Sequence, residues 1–454
     1  MPEKNSRSTV RDMTEGTIWK ELINFAFPLF VGNIFQQLYN TVDSVVVGNF
    51  VGADALGAVT STVPIVMTLI GAFIGLSMGA SVVISQYFGA KDIAKLRKST
   101  HTAVVATVIL SLIISVVGYC ITPRLLHMMN TPESVYKEAV VYLQIFSLGL
   151  GGLMLYNMGA GLLRAVGDSK RPLYYLILAS ILNIFLDLLF VIKFKSGVAG
   201  VAYATILAQL ISGLAIFFRL FRSNECHSLS WREMKIDFEI LKRIIKIGFP
   251  AGFQMAITAF SNVFVQAYIN AYGAASTAGW GIYARIDAFV MLSTQSMSMS
   301  ITTFVGQNAG AQKPERIRQG LRDAMKISLT ISISVITILF ISAPFIVSLF
   351  NRDAEVLRYG VLFLRLNSIF DPFNVVSQIH AGALRGVGDS RTPMLVMLGA
   401  FVVFRQIYLF IISKLTSSVH FIALGYPVGW IVCCILMLLH VRWSGWEEKL
   451  RQKR

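Results

Sequence analysis

The sequence predicts an all-α integral membrane protein with twelve transmembrane helices in two pseudo-symmetric six-helix lobes. Three observations carry that prediction. The 454 residues are 55% hydrophobic and 14% charged, with mean hydropathy +0.65, whereas a soluble protein is about 25% charged. The apolar residues gather into runs of about 20, the length that crosses a bilayer. Polar landmarks also recur in one order. Leu163-Arg-Ala-Val-Gly-Asp-Ser-Lys-Arg-Pro172 returns as Leu384-Arg-Gly-Val-Gly-Asp-Ser-Arg-Thr-Pro393, and at the same offset Gln86-Tyr-Phe-Gly-Ala90 maps onto Gln307-Asn-Ala-Gly-Ala311. Gly52-Ala53 maps onto Gly273-Ala274 and, with one residue of slippage, Phe27-Pro28 onto Phe249-Pro250. Landmarks in fixed order at nearly fixed spacing mark a duplicated unit. All but the last are short breaks between apolar runs, so the repeated motifs are connections.

Taken in order, the runs fall near 20–49, 56–86, 100–121, 136–161, 173–193 and 198–220 in the first half. The second half gives 241–271, 277–307, 322–343, 355–383, 393–413 and 417–441. The expected division is a lobe over 1–221, a cytoplasmic linker over 222–240 and a second lobe over 241–454. Several runs exceed the minimum span and must tilt or project past the bilayer. Pro28 and Pro250 lie in the corresponding helices one and seven. Each removes a backbone hydrogen bond and bends its helix, which makes the pair either conformational hinges or static kinks.

A net charge of +16 invites a nucleic-acid reading, but position rejects it. Of the 40 Lys and Arg, 30 fall at the N-terminus, in alternate connections and in the C-terminal tail, and only 7 in the opposite connections. That is the positive-inside pattern of a multi-pass protein of the cytoplasmic membrane with both termini inside. The polar start, Met1 to Lys20, is not a cleavable signal, so the first helix serves for insertion. Four cysteines are too few and too badly spaced for a disulfide framework or a zinc site. No phosphate loop is present for ATP. No cofactor is expected beyond a coupling ion. The segment 221–240 reads as a tether with an amphipathic stretch near Trp231 to Leu241.

An acid at the centre of a membrane helix costs about 2.5–3.5 kcal/mol, so each one is a candidate for function. Asp43 lies in helix one with Gln36 two turns back on the same face. Helix five places Asn183 and Asp187 one turn apart, and Thr205 in helix six and Asn157 in helix four extend the set. Two carboxylates with amide and hydroxyl oxygens suit Na+, a hard cation, and equally suit a proton. In the second half these positions are apolar or aromatic, Asp43 falling at Phe264 or Val265 and Asn183 and Asp187 at Phe404 and Tyr408. The second half instead has Arg285 and Asp287 in helix eight, Arg365 and Asp371 in helix ten, and Arg405 in helix eleven. Asp371, just before Pro372, either meets a cationic substrate or pairs with one of these arginines. Met255 and Met291 form an adaptable apolar wall or plain packing.

These residues resemble the multidrug and toxic compound extrusion (MATE) family over nearly the whole chain. The likeness rests on Pro28 and Asp43 in helix one, Gln86 with Gly89 after helix two, and the paired Leu-Arg-x-Val-Gly-Asp-Ser-x-x-Pro loops. Asn183 and Asp187 in helix five complete it. The NorM-like branch has an acid in helix seven where this chain has Thr258, and its helix-ten acid aligns near Asn374. The chain is therefore more similar to the DinF-like and MepA-like branches. The resemblance implies a secondary exporter, working as a monomer, that exchanges Na+ or H+ for an amphipathic, often cationic, drug-like compound by alternating access. It implies a coupling site at Asp43, Asn183, Asp187 and Thr205, and a substrate cavity near Gln36, Asn157, Asp371, Met255 and Met291. The competing expectation is a lipid-linked oligosaccharide or lipid-precursor flippase, kept open by Arg285, Arg365 and Arg405. A membrane-embedded enzyme is disfavoured, since the six histidines have no His/Asp pattern and no nucleophile motif stands out.

Overall fold

The computed structural model describes residues 10–129, 131–416 and 418–443, without some side chains between 53 and 72. Residues 1–9 and 444–454, which hold part of the charge expected in the cytoplasm, and residue 417, the expected start of helix twelve, lie outside the described residues. The first half folds as α1 (Ile18–Val46), α2 (Ala53–Gly89), α3 (Ile93–Met128), α4 (Glu133–Ala165), α5 (Lys170–Asp187) and α6 (Gly197–Arg222). The second continues with α7 (Phe238–Asn270), α8 (Ala274–Gly310), α9 (Pro314–Phe350), α10 (Ala354–Ser368) and α11 (Asp371–Gly386). It ends with α12 (Arg391–Leu398), α13 (Arg405–Leu415), α14 (Val419–Ala423) and α15 (Gly425–Trp443).

Three expected helices prove to be interrupted. Helix ten divides into α10 and α11 just before Pro372, which has no N–H to continue the ladder. Helix eleven passes from α12 to α13 through a π-helical turn, Gly399–Phe404, and helix twelve divides into α14 and α15. Nine described spans are long and apolar enough to cross a membrane. At 29 and 37 residues α1 and α8 are long enough too, yet neither is among the nine, so composition separates them. They carry Asp43 and Asp287. In contrast, α3 turns Val108, Ile109, Leu112, Ile113, Val116 and Val117 outward, as a lipid-facing helix does.

By packing, the described residues fall into two units, one of residues 10–12 and 27–252 and the other of 13–26 and 253–443. The units therefore do not follow the repeat. The opening turns of α1 pack with the second half, those of α7 pack with the first, and both changes of allegiance fall beside Pro28 and Pro250. Within the first unit α4 packs against α2, α3 and α6, and within the second α8 packs against α9, α10 and α11. The α2–α7 crossing is backbone on backbone. A Cβ at Gly75 would lie 2.6 Å from the Gly248 carbonyl, and one at Gly79 would overlap the Ile244 carbonyl. In the second unit the Ser300 hydroxyl donates to the Leu22 carbonyl at 3.0 Å, the equivalent place under the repeat.

The repeated loops have a physical reason to recur. Gly167 and Gly388 hold φ of 85° and 92°, left-handed values that a glycine adopts without strain. Each ends its helix, with the Asp168 and Asp389 N–H groups returning to the Leu163 and Leu384 carbonyls at 3.0 and 2.9 Å. The same aspartates then cap the next helix, Asp168 accepting from the Arg171 N–H and Asp389 from the Thr392 N–H, both at 3.1 Å. Gly-Asp thus stops one helix and starts another in two residues.

The expected tether is pinned to the first unit. Arg171 forks onto Glu225 at 2.9 and 3.0 Å, and this contact holds the Glu225 carboxyl below its ordinary range. Burial pushes the neighbouring His227 down to about 4. The Ser230 N–H donates to His101 Nε2 at 2.9 Å, Arg97 pairs with Glu233 at 3.1 Å, and Trp231 stacks on Phe221 at 4.3 Å. The expected amphipathic stretch is a 3-10 turn, Trp231–Glu233, followed by the first turn of α7.

The glycine crossing yields a stability prediction. Gly79→Ala forces backbone apart and should cost about 1–3 kcal/mol, read as a lower Tm. Gly281→Ala, where a Cβ meets nothing within 4 Å, should leave Tm unchanged or raise it.

Candidate functional site

The first unit gathers the residues expected to hold the coupling ion. Asp43 lies one turn before α1 passes into a π-helical turn, Val47–Val51, and Asp187 ends α5 just before a second, Leu188–Lys193. The two π turns are in contact. Such turns shift helix register and recur at functional sites. The Asp43 and Asp187 carboxyls lie within hydrogen-bonding reach of each other, and Asn183 reaches Asp43. Asn183 Nδ2 donates to Thr205 Oγ1 at 3.4 Å, and the Thr205 hydroxyl donates to the Val201 carbonyl at 3.1 Å.

What sets this cluster apart is what it lacks. Asp43 Oδ1, both carboxyl oxygens of Asp187 and Asn183 Oδ1 are buried without a hydrogen-bond partner. Asp187 is 0% exposed, and no ion pair among the described residues reaches either acid. Four acceptor oxygens of one cluster are thus left unpaired, where a buried polar atom is ordinarily paired.

Tyr39, Tyr142 and Gln209 surround the pair, although the sequence reading did not select them. Tyr39 and Tyr142 are buried within electrostatic reach of Asp43, and Gln209 Nε2 donates to the Tyr39 hydroxyl at 3.5 Å. Tyr39 precedes Asp43 by one turn, a spacing that could have signalled it. Gln36 also reaches the Tyr39 hydroxyl. Asn157 turns elsewhere, its amide donating to the Leu153 carbonyl of its own helix at 2.8 Å.

The second unit holds a separate acidic pair. Asp371 is 2% exposed and accepts from the Ser332 hydroxyl at 2.6 Å, while its Oδ1 has no partner. Asn374 reaches it from the next turn and donates to Met291 Sδ at 3.1 Å. Asp287 on α8, with Tyr283 beside it, lies within electrostatic reach of Asp371. The expected pairing of Asp371 with an arginine does not form among the described residues. Arg285 is exposed, Arg365 donates to the Phe340 carbonyl at 3.0 Å, and Arg405 turns to Ser261 and Asn262. None of the three forms an ion pair with an acid among the described residues. Met255 is 38% exposed, and Pro28 and Pro250 lie inside unbroken α1 and α7.

A family model, MatE, matches residues 28–189 and again 250–411. The chain belongs to the MatE family. The two matched blocks begin at Pro28 and Pro250, so the family unit is the repeat itself. Among relatives, the probable multidrug resistance protein YpnP of Bacillus subtilis (strain 168) is 28% identical over 445 residues, covering 96% of this chain and 97% of its own. The multidrug export protein MepA of Staphylococcus haemolyticus (strain JCSC1435) is 23% identical over 86% of each chain. A solved structure of a multidrug resistance MATE family transporter of the MOP superfamily, in its outward-facing conformation, matches at TM-score 0.91 and 23% identity. It covers 99% of this chain and 100% of that one, which shows the fold. The MatE chain is a multi-pass membrane transporter, not an enzyme.

Ser332→Ala should expose how much Asp371 depends on its one hydroxyl donor. Losing it leaves Asn374 as the neighbour that still reaches this buried carboxyl and should cost about 1–3 kcal/mol, measurable as a lower Tm than that of Ser334→Ala. Ser334 is exposed and bonds only within its helix.

Proposed function

We propose that this MatE protein is a secondary active multidrug exporter, driving amphipathic and often cationic compounds outward against entry of Na+ or H+. The single observation that carries this reading is the partnerless Asp43–Asp187 pair. Two carboxylates in contact at low dielectric repel unless a cation or proton lies between them. The site therefore has a use for an inward-moving positive charge. The names of the relatives support the cargo: YpnP is described as a multidrug resistance protein and MepA as a multidrug export protein. The oxygens of Asp43, Asp187, Asn183 and Thr205 form a hard ligand set that suits Na+ and accepts a proton equally.

Coupling follows from differential affinity, the only means by which a ligand shifts a two-state equilibrium. With the charge absent, repulsion holds the carboxyls apart and favours one arrangement of α1. Entry of Na+ or H+ removes the repulsion and lets α1 repack about Pro28, where it changes from one packing unit to the other. Drug bound to the earlier arrangement then loses its site. Thr258, an uncharged residue of α7, supports placing the chain nearer the DinF-like and MepA-like branches. The positive-inside pattern supports cytoplasmic termini.

The test is efflux from proteoliposomes with Na+ and pH gradients imposed separately. Asp43→Asn and Asp187→Asn should each abolish gradient-driven efflux while the protein stays inserted, with Tm no lower than wild type because a repulsion has been removed. Wild-type efflux rates in either variant would refute the coupling site.

A further inference from the structure

The repeat places helix eleven where the first half has helix five, and helix seven where it has helix one. In the first half that helix pair carries acids, Asp187 on α5 and Asp43 on α1. In the second half it carries a base. Arg405 opens α13 and is only 3% exposed. Its Nη2 donates to Ser261 Oγ at 2.9 Å and to Asn262 Oδ1 at 2.8 Å, both on α7. The guanidinium lies 4.8 Å from the centre of the Tyr426 ring.

Every contact on this guanidinium is neutral. No carboxylate pairs with it among the described residues, and its Nε is buried with no partner. A buried cation in a membrane helix is costly unless it is paired or serves a ligand. A tie between α13 and α7 does not require the charge, since Gln406 already donates to the Ser261 carbonyl at 3.0 Å and to its hydroxyl at 2.9 Å. Asn262 and Gln406, the polar groups beside the guanidinium, are only half-buried, so the surroundings of the buried charge are reached from outside the protein.

We propose that Arg405 is an anion subsite of the second half and takes the carboxylate of an amphipathic cargo molecule. The free N–H supplies a charge-assisted hydrogen bond of the kind that favours guanidinium over ammonium. Ser261 and Asn262 hold the plane, and Tyr426 backs it on one face. The two halves then present opposite charges at equivalent helices, the first to the coupling cation and the second to an acidic group of the cargo. This rests on the exporter reading for the identity of the cargo and extends its substrates from cations to carboxylate-bearing compounds.

The test is equilibrium binding to detergent-solubilised full-length protein by fluorescence anisotropy, which needs no gradient and stands apart from the efflux assay. The probes are rhodamine 110, a free acid, and rhodamine 123, its methyl ester. Arg405→Gln, which retains an amide donor, should weaken rhodamine 110 by about tenfold and leave rhodamine 123 within about twofold. Arg405→Lys should fall between, keeping charge without the planar fork. Equal losses for both dyes in a folded variant, or no loss for either, would overturn the subsite. Should neither variant fold, wild type decides: rhodamine 110 binding no more weakly than rhodamine 123 upholds the proposal, and any weaker binding of the acid rejects it. If both dyes bind as expected yet neither moves under any gradient, the exporter reading fails and the subsite stands.

Discussion

On the proposed function, repulsion between Asp43 and Asp187 is the constraint on which the molecule turns. Neither acid has an arginine or lysine to neutralise it, and three of their four oxygens are buried without a donor. A protein interior tolerates that only where something mobile completes the charge balance. The surrounding groups are arranged to leave the gap open. Asn183 divides its amide between Asp43 and Thr205, the Thr205 hydroxyl is turned back to its own helix, and Gln209 is occupied with Tyr39. The π turns that follow Asp43 and Asp187 add a place where helix register is already loosened, beside the charge that would shift it.

Duplication supplies the frame for this device and also its asymmetry. The loops of the two halves agree down to backbone angle, with Lys91 and Gln312 both at φ 56° and Gly167 and Gly388 within a few degrees of each other. Their task, ending one helix and capping the next, is the same in both halves. The membrane-buried charges have diverged, acids at helices one and five against a base at helix eleven, as groups that serve ligands and not the fold are free to do. Between the halves the chain exchanges its opening turns, so that α1 and α7 each belong partly to the opposite packing unit. Asp43 therefore lies on a helix whose first turns, and the segment leading into them, are anchored in the second unit: the Leu22 carbonyl accepts from the Ser300 hydroxyl at 3.0 Å, and the Met13 N–H donates to the Gln307 side chain at 2.8 Å.

Much of this was legible in the sequence. The all-helical multi-span fold in two repeated halves and the repeated loops follow from hydropathy and offset, and helical spacing puts Asn183 and Asp187 on one face. What the sequence hid was long-range. No periodicity reveals that Gly75 and Gly79 meet Gly248 backbone to backbone, nor that a polar linker is bolted down by Arg171 and His101. Asp287 was visible as a charge, yet its proximity to Asp371 depends on how α8 packs against α11. Asn157 shows the converse. Its position suited the cluster, but its amide found a carbonyl one turn away on its own helix.

The most direct measurement is calorimetric titration of Na+ into the purified protein at several fixed pH values, counting protons released per ion bound. Wild type should bind Na+, or exchange it for a proton, at a single site that disappears in the Asp43→Asn, Asp187→Asn double variant. Undiminished uptake of both Na+ and protons by the double variant would contradict the account, because the charge would then reside somewhere other than between these two carboxyls.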